Sequence, residues 1–385
     1  MTTWLYCIFF FCASFFVCCT FIPLSIYLAN KFGAIDLPSK RRVHKYPVPR
    51  LGGLAIFAGI LACVVLAGVG TKYMGWDLKL SYKNSEGVNY IIAGAGAVLI
   101  FLTGVADDVK CLPPKAKLTM QIIASCITVS SGLLLNRIMN PFTNTWIEFG
   151  WFAYPLTILY LVAFSNIINL IDGLNGLSAG ISAITATTLF IFSVLTNRAD
   201  SAILSIAIIG ACFSFLIYNF RENPKTFMGD CGSLTIGYLL GITSLLAVAR
   251  TAFVISMIVP LLAAGVPIID TLFAIIRRVI GHQPIDQADV GHIHHRLLKS
   301  GLSKKQTVLI MWGWTILLSI CGIVITVSQD SNLSLTVLAL ALAFTIFMVI
   351  KLHLFHPVLK HHYNPRKKEG RIKRSPKYGL YNRKK

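Results

Sequence analysis

Two adjacent carboxylates, Asp107 and Asp108, close the apolar run FLTGVADDVKCLPPK, and a third, Asp230, lies between glycines in FMGDCGSL. A helix C-terminus already carries partial negative charge, so acids there are unfavourable unless something compensates. Adjacent carboxylates are most naturally relieved by a hard divalent cation such as Mg²⁺, held by one or two carboxylates plus phosphate oxygens. The competing explanation is a solvated turn relieved by Lys110. Around Asp230, the flanking glycines let backbone amides approach an anion or metal while the carboxylate ligates. Phe227, three residues earlier, can offer a ring face to a base, although core packing is the usual fate of an aromatic.

Three further polar stretches suit the same chemistry. DLPSKRRVHKYPVPRLGG (36–53) gathers Lys40, Arg41, Arg42, Lys45 and Arg50 beside His44. Its prolines stiffen the backbone and Gly52 and Gly53 turn it, and cations on a shaped loop suit a phosphate-bearing ligand. NLIDGLNGLSAG (169–180) interrupts apolar sequence with Asp172 and Asn175, in a place where non-helical backbone is tolerated if it lines a cavity or is buried in protein. In HQPIDQADVGHIHHRLLKSGLS (282–303), His292 and His295 share a face if helical, His294 points elsewhere, and Asp289 and Arg296 flank them. Zinc needs three or four placed ligands, and the dense Lys and Arg nearby oppose a second cation. Pyrophosphate held by His and Arg is therefore preferred to a metal here.

The elements that must position these groups are membrane helices. The chain has 385 residues, 55% hydrophobic and 13% charged, with a mean hydropathy of +0.71. Its apolar runs are continuous and approach the roughly 20 residues a spanning helix needs, so helices rather than a barrel are expected. Eleven candidates fall near 4–29, 51–69, 88–106, 118–136, 152–168, 177–196, 201–219, 233–249, 252–276, 307–327 and 332–353. The first lacks a basic leader and is too long for a secretory signal, so it reads as a spanning helix. The run 152–168 carries Pro155 and is the weakest. The ten cysteines lie mostly within apolar runs and show no paired spacing, which points to packing rather than disulfides or zinc. Asp270, inside VPLLAAGVPIIDTLFAIIRR, is an intramembrane acid that Arg277, two turns on, could reach by snorkelling.

Charge sorts the loops. With eleven spans, one side holds only Lys72, Lys79, Lys83, Arg137, Arg198 and Arg250, and every other Lys and Arg falls on the opposite side. Positive charge marks the cytoplasmic side, placing the C-terminus inside and the N-terminus outside. All nine histidines and the acids Asp36, Asp107, Asp108, Asp172, Asp230, Asp286 and Asp289 fall on that cytoplasmic side as well. Residues 1–355 thus form a membrane domain with its polar site on the cytoplasmic face. Residues 356–385 form a basic tail expected to be disordered; anionic lipid headgroups are its natural partner, with no motif for nucleic acid.

Taken in order, DLPSKRRVHKYPVPRLGG, GVADD, NLIDGLNGLSAG, FMGDCGSL and ADVGHIHHRLL resemble the polyprenyl-phosphate N-acetylhexosamine-1-phosphate transferases, the superfamily of the phospho-MurNAc-pentapeptide translocase. The resemblance implies transfer of a sugar 1-phosphate from a UDP-sugar to undecaprenyl phosphate at the bacterial inner membrane. UMP would leave, and the lipid-linked sugar would initiate a cell-envelope glycan such as O-antigen, lipopolysaccharide or teichoic acid. It implies Mg²⁺, with Mn²⁺ as a substitute, on Asp230, and Asp107 and Asp108 acting on the lipid phosphate with a metal contact. It further implies Phe227 stacked on uracil, Asn169, Asp172 and Asn219 in the nucleotide pocket, and His292, His294, His295 and Arg296 on the diphosphate or sugar; a homodimer is compatible with it.

The family often writes NLIDGLDGL where this chain has Asn175, which weakens a proton-transfer role for that position and bears on nucleotide or sugar recognition. HIHHRLL also looks like the UDP-HexNAc enzymes rather than the pentapeptide translocases, so a GlcNAc-type donor is expected and MurNAc-pentapeptide is the alternative. A transporter would place ionisable groups near the midplane, where only Asp270 stands, and the DG…AR…G…D…D pattern of CDP-alcohol phosphotransferases is absent around Asp172.

Overall fold

The structure, a computed structural model, describes residues 3–38, 46–76, 78, 87–139, 145–248, 257–281, 291–328 and 330–354. Lys45, His44, Asp289 and the basic tail lie outside the described residues. The helices are α1 (Thr3–Phe32), α2 (Gly52–Tyr73), α3 (Tyr90–Lys110), α4 (Pro114–Ser130), α5 (Ala153–Ile171), α6 (Leu177–Leu195) and α7 (Ala199–Asn219). They continue with α8 (Gly229–Val248), α9 (Ile258–Ala263), α10 (Gly265–Ile280), α11 (Ile293–Lys299), α12 (Lys304–Val327) and α13 (Ser331–Lys351). Two short antiparallel pairs complete the chain: β1 (Ile35–Asp36) with β2 (Val48–Pro49), and β3 (Arg137–Met139) with β4 (Trp146–Glu148).

Among the described residues, nine helices are long and apolar enough to cross a bilayer, and the chain is a helical, multi-pass membrane protein. The other two expected runs take different forms. The run 118–136 becomes α4, 17 residues long. The run 252–276 is broken between α9 and α10 at Ala264. Proline explains the break: Pro267 has no N–H to give the carbonyl four residues back, and that carbonyl, Ala263 O, instead accepts from the Thr185 hydroxyl of α6 at 2.8 Å. The weakest expected span is continuous, because Pro155 falls in the first turn of α5, where its missing donor costs nothing.

The core is organised around α8, among the described residues the one spanning helix whose apolar window is buried throughout. Lipid tails are as apolar as leucine, so such helices associate through close packing at small residues. A Cβ at Gly53 of α2 would collide with the Gly232 backbone, and one at Gly104 of α3 would collide with that of Cys231. Neighbouring helices can therefore lie directly against the first turn of α8. At the opposite end of α4 and α5, Trp151, Phe152 and Tyr154 are exposed and Arg137 covers the Trp146 ring at 4.4 Å, the amphipathic aromatic character of a membrane–water boundary.

Candidate active site

Five helix ends meet at one pole of the bundle: the C-terminal ends of α3 and α5 and the N-terminal ends of α2, α4 and α8. The segment before α8 is laced to the one before α2. Phe227 N donates to Pro49 O at 2.7 Å, Gly52 N to Phe227 O at 2.9 Å and Gly53 N to Met228 O at 2.8 Å. Helix N-termini leave backbone donors unsatisfied, and α8 is capped from outside. Asp108 Oδ1 accepts from Asp230 N at 3.0 Å and its Oδ2 from Cys231 N at 2.9 Å. Arg50 adds an ion pair at 3.1 Å. With both oxygens engaged and only 4% of its surface exposed, Asp108 anchors α8. Asp108, expected on the lipid phosphate and metal, has its two oxygens on the α8 amides and Arg50 here.

Asp107 and Asp230 are the carboxylates joined by Lys117, with 12% and 18% of their side-chain surfaces exposed. Lys117 Nζ contacts Asp230 Oδ2 and lies 3.4 Å from Asp107 Oδ2. Asp107 Oδ1 accepts from Leu112 N at 2.9 Å, fixing the turn in which Cys111 adopts a left-handed φ of 53°. Asn169 donates to Asp230 Oδ1 at 3.2 Å and to Ser233 Oγ at 2.9 Å, so it orients the carboxylate directly. Arg50 stands 3.9 Å from Asp230. Asp172 caps the C-terminus of α5. Burial first, then Asp230 and Asp108 nearby, push its carboxyl up to about 7, with Arg50 opposing.

Lys117 was not among the expected site residues, although a signal was present. A lysine in the first turn of α4 sits at the positive end of that helix dipole, where a cation is disfavoured, just as the acids are at the end of α3. The two anomalies answer each other. Among the described residues, the carboxylates of Asp107, Asp108 and Asp230 outnumber the two cations paired with them, Arg50 and Lys117, a negative balance that suits a divalent cation. No three His, Cys, Asp or Glu among the described residues converge closely enough to chelate a metal by themselves, because the Lys117 ammonium stands between Asp107 and Asp230. A donor set of two carboxylates completed by substrate oxygens and water is how Mg²⁺ is ordinarily held.

The nucleotide-pocket candidates divide. Asn219 is buried; its Oδ1 accepts from Gly176 N at 2.6 Å and its Nδ2 donates to Thr226 O at 2.9 Å. It ties the turn between α5 and α6 to the loop before α8, with both ends of its amide engaged by backbone. Asn175 donates to Arg221 O at 3.0 Å and lines a groove of about 510 Å³ with Tyr46, Phe220, Arg221, Lys304 and Lys305. Phe227 is part-buried and does not line that groove; the rings there are Tyr46 and Phe220.

The histidine motif is a loop followed by the short helix α11. His292 precedes α11, and its Nδ1 lies 3.0 Å from Asp270 Oδ2, while Ile293 N donates to Asp270 Oδ1 at 2.8 Å. Asp270 therefore seats this motif. Arg277, expected to reach back toward that acid, donates to Leu354 O at 3.0 Å. His294 is buried against the turn after α5; a Cβ at Gly173 would come within 2.5 Å of its Nε2. Burial, with His295 adding to it, lowers the His294 imidazole to about 3, so it is neutral at physiological pH. Its Nδ1 is buried without a hydrogen-bond partner among the described residues. His295 is part-exposed with its ring 4.2 Å from that of His294. Arg296 donates to Gly291 O at 2.9 Å and to His353 O at 2.6 Å; the guanidinium expected on a diphosphate is engaged with backbone carbonyls.

Residues 90–248, which hold the carboxylate cluster, match the family model described as glycosyl transferase family 4. A probable undecaprenyl-phosphate N-acetylglucosaminyl 1-phosphate transferase of Bacillus subtilis (strain 168) is 40% identical over 303 residues, covering 79% of this chain and 80% of that protein. A decaprenyl-phosphate N-acetylglucosaminephosphotransferase of Mycolicibacterium smegmatis is 32% identical over 345 residues, 84% of this chain and 82% of the relative. A phospho-N-acetylmuramoyl-pentapeptide-transferase of Halalkalibacterium halodurans is 31% identical over 315 residues, 80% and 92% respectively. On identity of this extent across most of both chains, the protein belongs to the polyprenyl-phosphate N-acetylhexosamine-1-phosphate transferase family.

Proposed function

We propose that the protein transfers N-acetylhexosamine 1-phosphate, GlcNAc in the simplest case, from a UDP-sugar to undecaprenyl phosphate. The observation that carries this is the cluster at the N-terminus of α8, where Lys117 joins Asp107 and Asp230. An oxygen of the lipid phosphate attacks the phosphorus that bears the sugar, the bond between the two phosphates of the nucleotide breaks, and UMP leaves with the bridging oxygen. Such a displacement needs alignment and charge neutralisation more than a strongly activated nucleophile. Asp107 orients the incoming phosphate through Lys117, which holds its charge beside the reacting oxygens; Asn169 keeps Asp230 aimed. Mg²⁺, or Mn²⁺ in its place, held by Asp230 with Asp107 beside it, would stabilise charge on the departing UMP. Part-exposed His295, with the neutral, buried His294 ring behind it, faces the sugar side, and the groove beside Asn175 receives the nucleotide.

A GlcNAc-type donor is supported over MurNAc-pentapeptide by the HIHHRLL pattern and by the names of the relatives with the higher identities. The topology that fits the reaction has eleven crossings, α4 and the broken α9–α10 included, with the N-terminus outside and the polar pole facing the cytoplasm of a bacterial inner membrane. The basic tail then lies against anionic headgroups. The test is UMP release by purified protein given undecaprenyl phosphate, Mg²⁺ and a panel of UDP-HexNAc donors. Lipid- and Mg²⁺-dependent release is expected, and Asp230→Asn is expected to abolish it in folded protein. A near-normal rate in that variant would remove Asp230 from the metal site.

A further inference from the structure

The helix α13 ends in a left-handed turn built on a residue other than glycine. Leu354 N donates to Val349 O at 3.1 Å and His353 N to Ile350 O at 3.0 Å. With His353 at φ 52°, this is a Schellman ending. Glycine is the usual residue at that left-handed position, and this chain places a histidine there instead. The turn drives Leu354 inward until it is fully buried, in one cluster with Leu174 of the α5–α6 turn and with Ile293 and Leu297 of α11. The carbonyls that the turn presents are all taken. Arg296 of α11 donates to Leu352 O at 3.3 Å and His353 O at 2.6 Å, and Arg277 of α10 donates to Leu354 O at 3.0 Å.

These contacts close a ring. Asp270 of α10 holds His292 and the first amide of α11; Arg277, two turns along α10, holds the hook; Arg296 of α11 holds both the hook and Gly291 O, next to His292. Most of α13 faces outward, with 17% of its spanning window buried; it packs on α12 through Ala341 and Phe344 and is tied down at this end by the hook.

We infer that the hook formed by Leu352, His353 and Leu354 is a positioning element for the transfer reaction, holding α11 so that His295, backed by the buried His294 ring, faces the substrate. The inference rests on the proposed transferase reading. The hook reaches the histidine motif through Arg296 and Arg277. A mere helix cap would stabilise α13 without consequence for the histidines.

Two variants break the hook by different routes: Leu354→Asp places charge in the buried cluster, and His353→Ile puts a β-branched residue at the left-handed position. Leu354→Met is the conservative control. Hydrogen exchange on the full-length protein in detergent reads the 293–299 amides directly, and steady-state kinetics read the reaction. Exchange at 293–299 is expected to quicken tenfold or more in both disrupting variants, with kcat down at least tenfold. KM for the UDP-sugar should change less than threefold, and Leu354→Met should restore both readouts. His353→Ile guards against Leu354→Asp failing to fold. Faster exchange confined to the end of α13, or unchanged kcat in folded His353→Ile, overturns the inference. Wild-type protein that releases no UMP overturns the transferase reading instead, and the kinetic part of the inference with it; the exchange result then shows whether the hook holds α11 at all.

Discussion

Replacing Asp108 by asparagine separates the anchor from the reacting groups. The Asp108 side chain is fully enclosed, and its two oxygens accept from Asp230 N and Cys231 N while Arg50 pairs with it. Asparagine keeps one acceptor. Its amide group must turn a donor toward either a backbone N–H or the Arg50 guanidinium, so one charge-assisted hydrogen bond and the ion pair are lost together. A hydrogen bond to a charged group contributes about 1.5–3 kcal/mol, and breaking a buried pair costs about 3–5 kcal/mol. Because Arg50 is partly open to solvent, at 23% side-chain exposure, the lower half of that range, about 3 kcal/mol, is expected.

The assay is thermal unfolding of the detergent-solubilised protein beside UMP release. Asp108→Asn should lower both the melting temperature and the rate, because a loosened first turn of α8 carries Asp230 out of line. Asp230→Asn should melt close to wild type and release no UMP. The reasoning is refuted if Asp108→Asn melts like wild type while turnover is lost, for then Asp108 acts on the phosphates themselves. It is refuted equally if neither quantity changes.

Lys117→Met should lower kcat about 10²-fold, in the range seen when one preorganised charge-stabilising donor is removed. It should also lower the Mg²⁺ concentration for half-maximal rate, since the cluster becomes more negative; a raised Mg²⁺ requirement would contradict this placement of the ammonium. Asp172 titrates at about 7 in the folded chain against 3.8 ordinarily, so the folded state holds its proton more tightly. Its contribution to stability is present below about pH 4 and lost as pH rises through about 7. Asp172→Asn should therefore raise the melting temperature at pH 8 and leave it unchanged near pH 4, and an equal effect at both values would refute the assignment. Gly53→Ala should destabilise the protein by about 1–3 kcal/mol, the usual cost of overpacking, because its methyl would meet the Gly232 backbone; an unchanged melting curve would show that α2 can move off α8 freely.

The polar motifs were legible because so little else in the chain is polar. Charged side chains in an apolar sequence stand out individually, and the runs between them give helices whose limits the structure largely keeps. What could not be read was the division of labour within a motif. Asp107 and Asp108 are adjacent and chemically identical, yet a helix turns about 100° between them, so one reaches the backbone of α8 and the other faces Lys117. The roles of Asn219 and Arg296 were hidden for a related reason. Asn219 bonds backbone groups 43 and seven positions away and Arg296 backbone carbonyls five to 57 away, and no side-chain pattern announces a backbone partner. The break at Ala264 was half legible: Pro267 marks it, but Thr185, which makes it tolerable in a membrane, lies 78 residues earlier.

The acids at the end of α3 are unfavourable only if α3 is considered alone. Asp108 meets the N-terminal amides of α8, whose dipole presents positive partial charge to it, so a carboxylate misplaced on one helix is the cap of another. Asp230 stands in the first turn of α8, where an acid is favoured, and Lys117 repeats the inversion by standing at the wrong end of α4 for its charge while answering Asp107 and Asp230. The arrangement holds only while the helix ends lie nearly in contact, because a dipole's influence fades within about one turn. Gly53 and Gly104 permit that contact by leaving the α8 backbone uncovered. The glycines of PRLGG and GVADD thus serve the same purpose as the acids beside them: they bring α2 and α3 close enough to α8 for misplaced charge on each helix to become stabilising charge for the site.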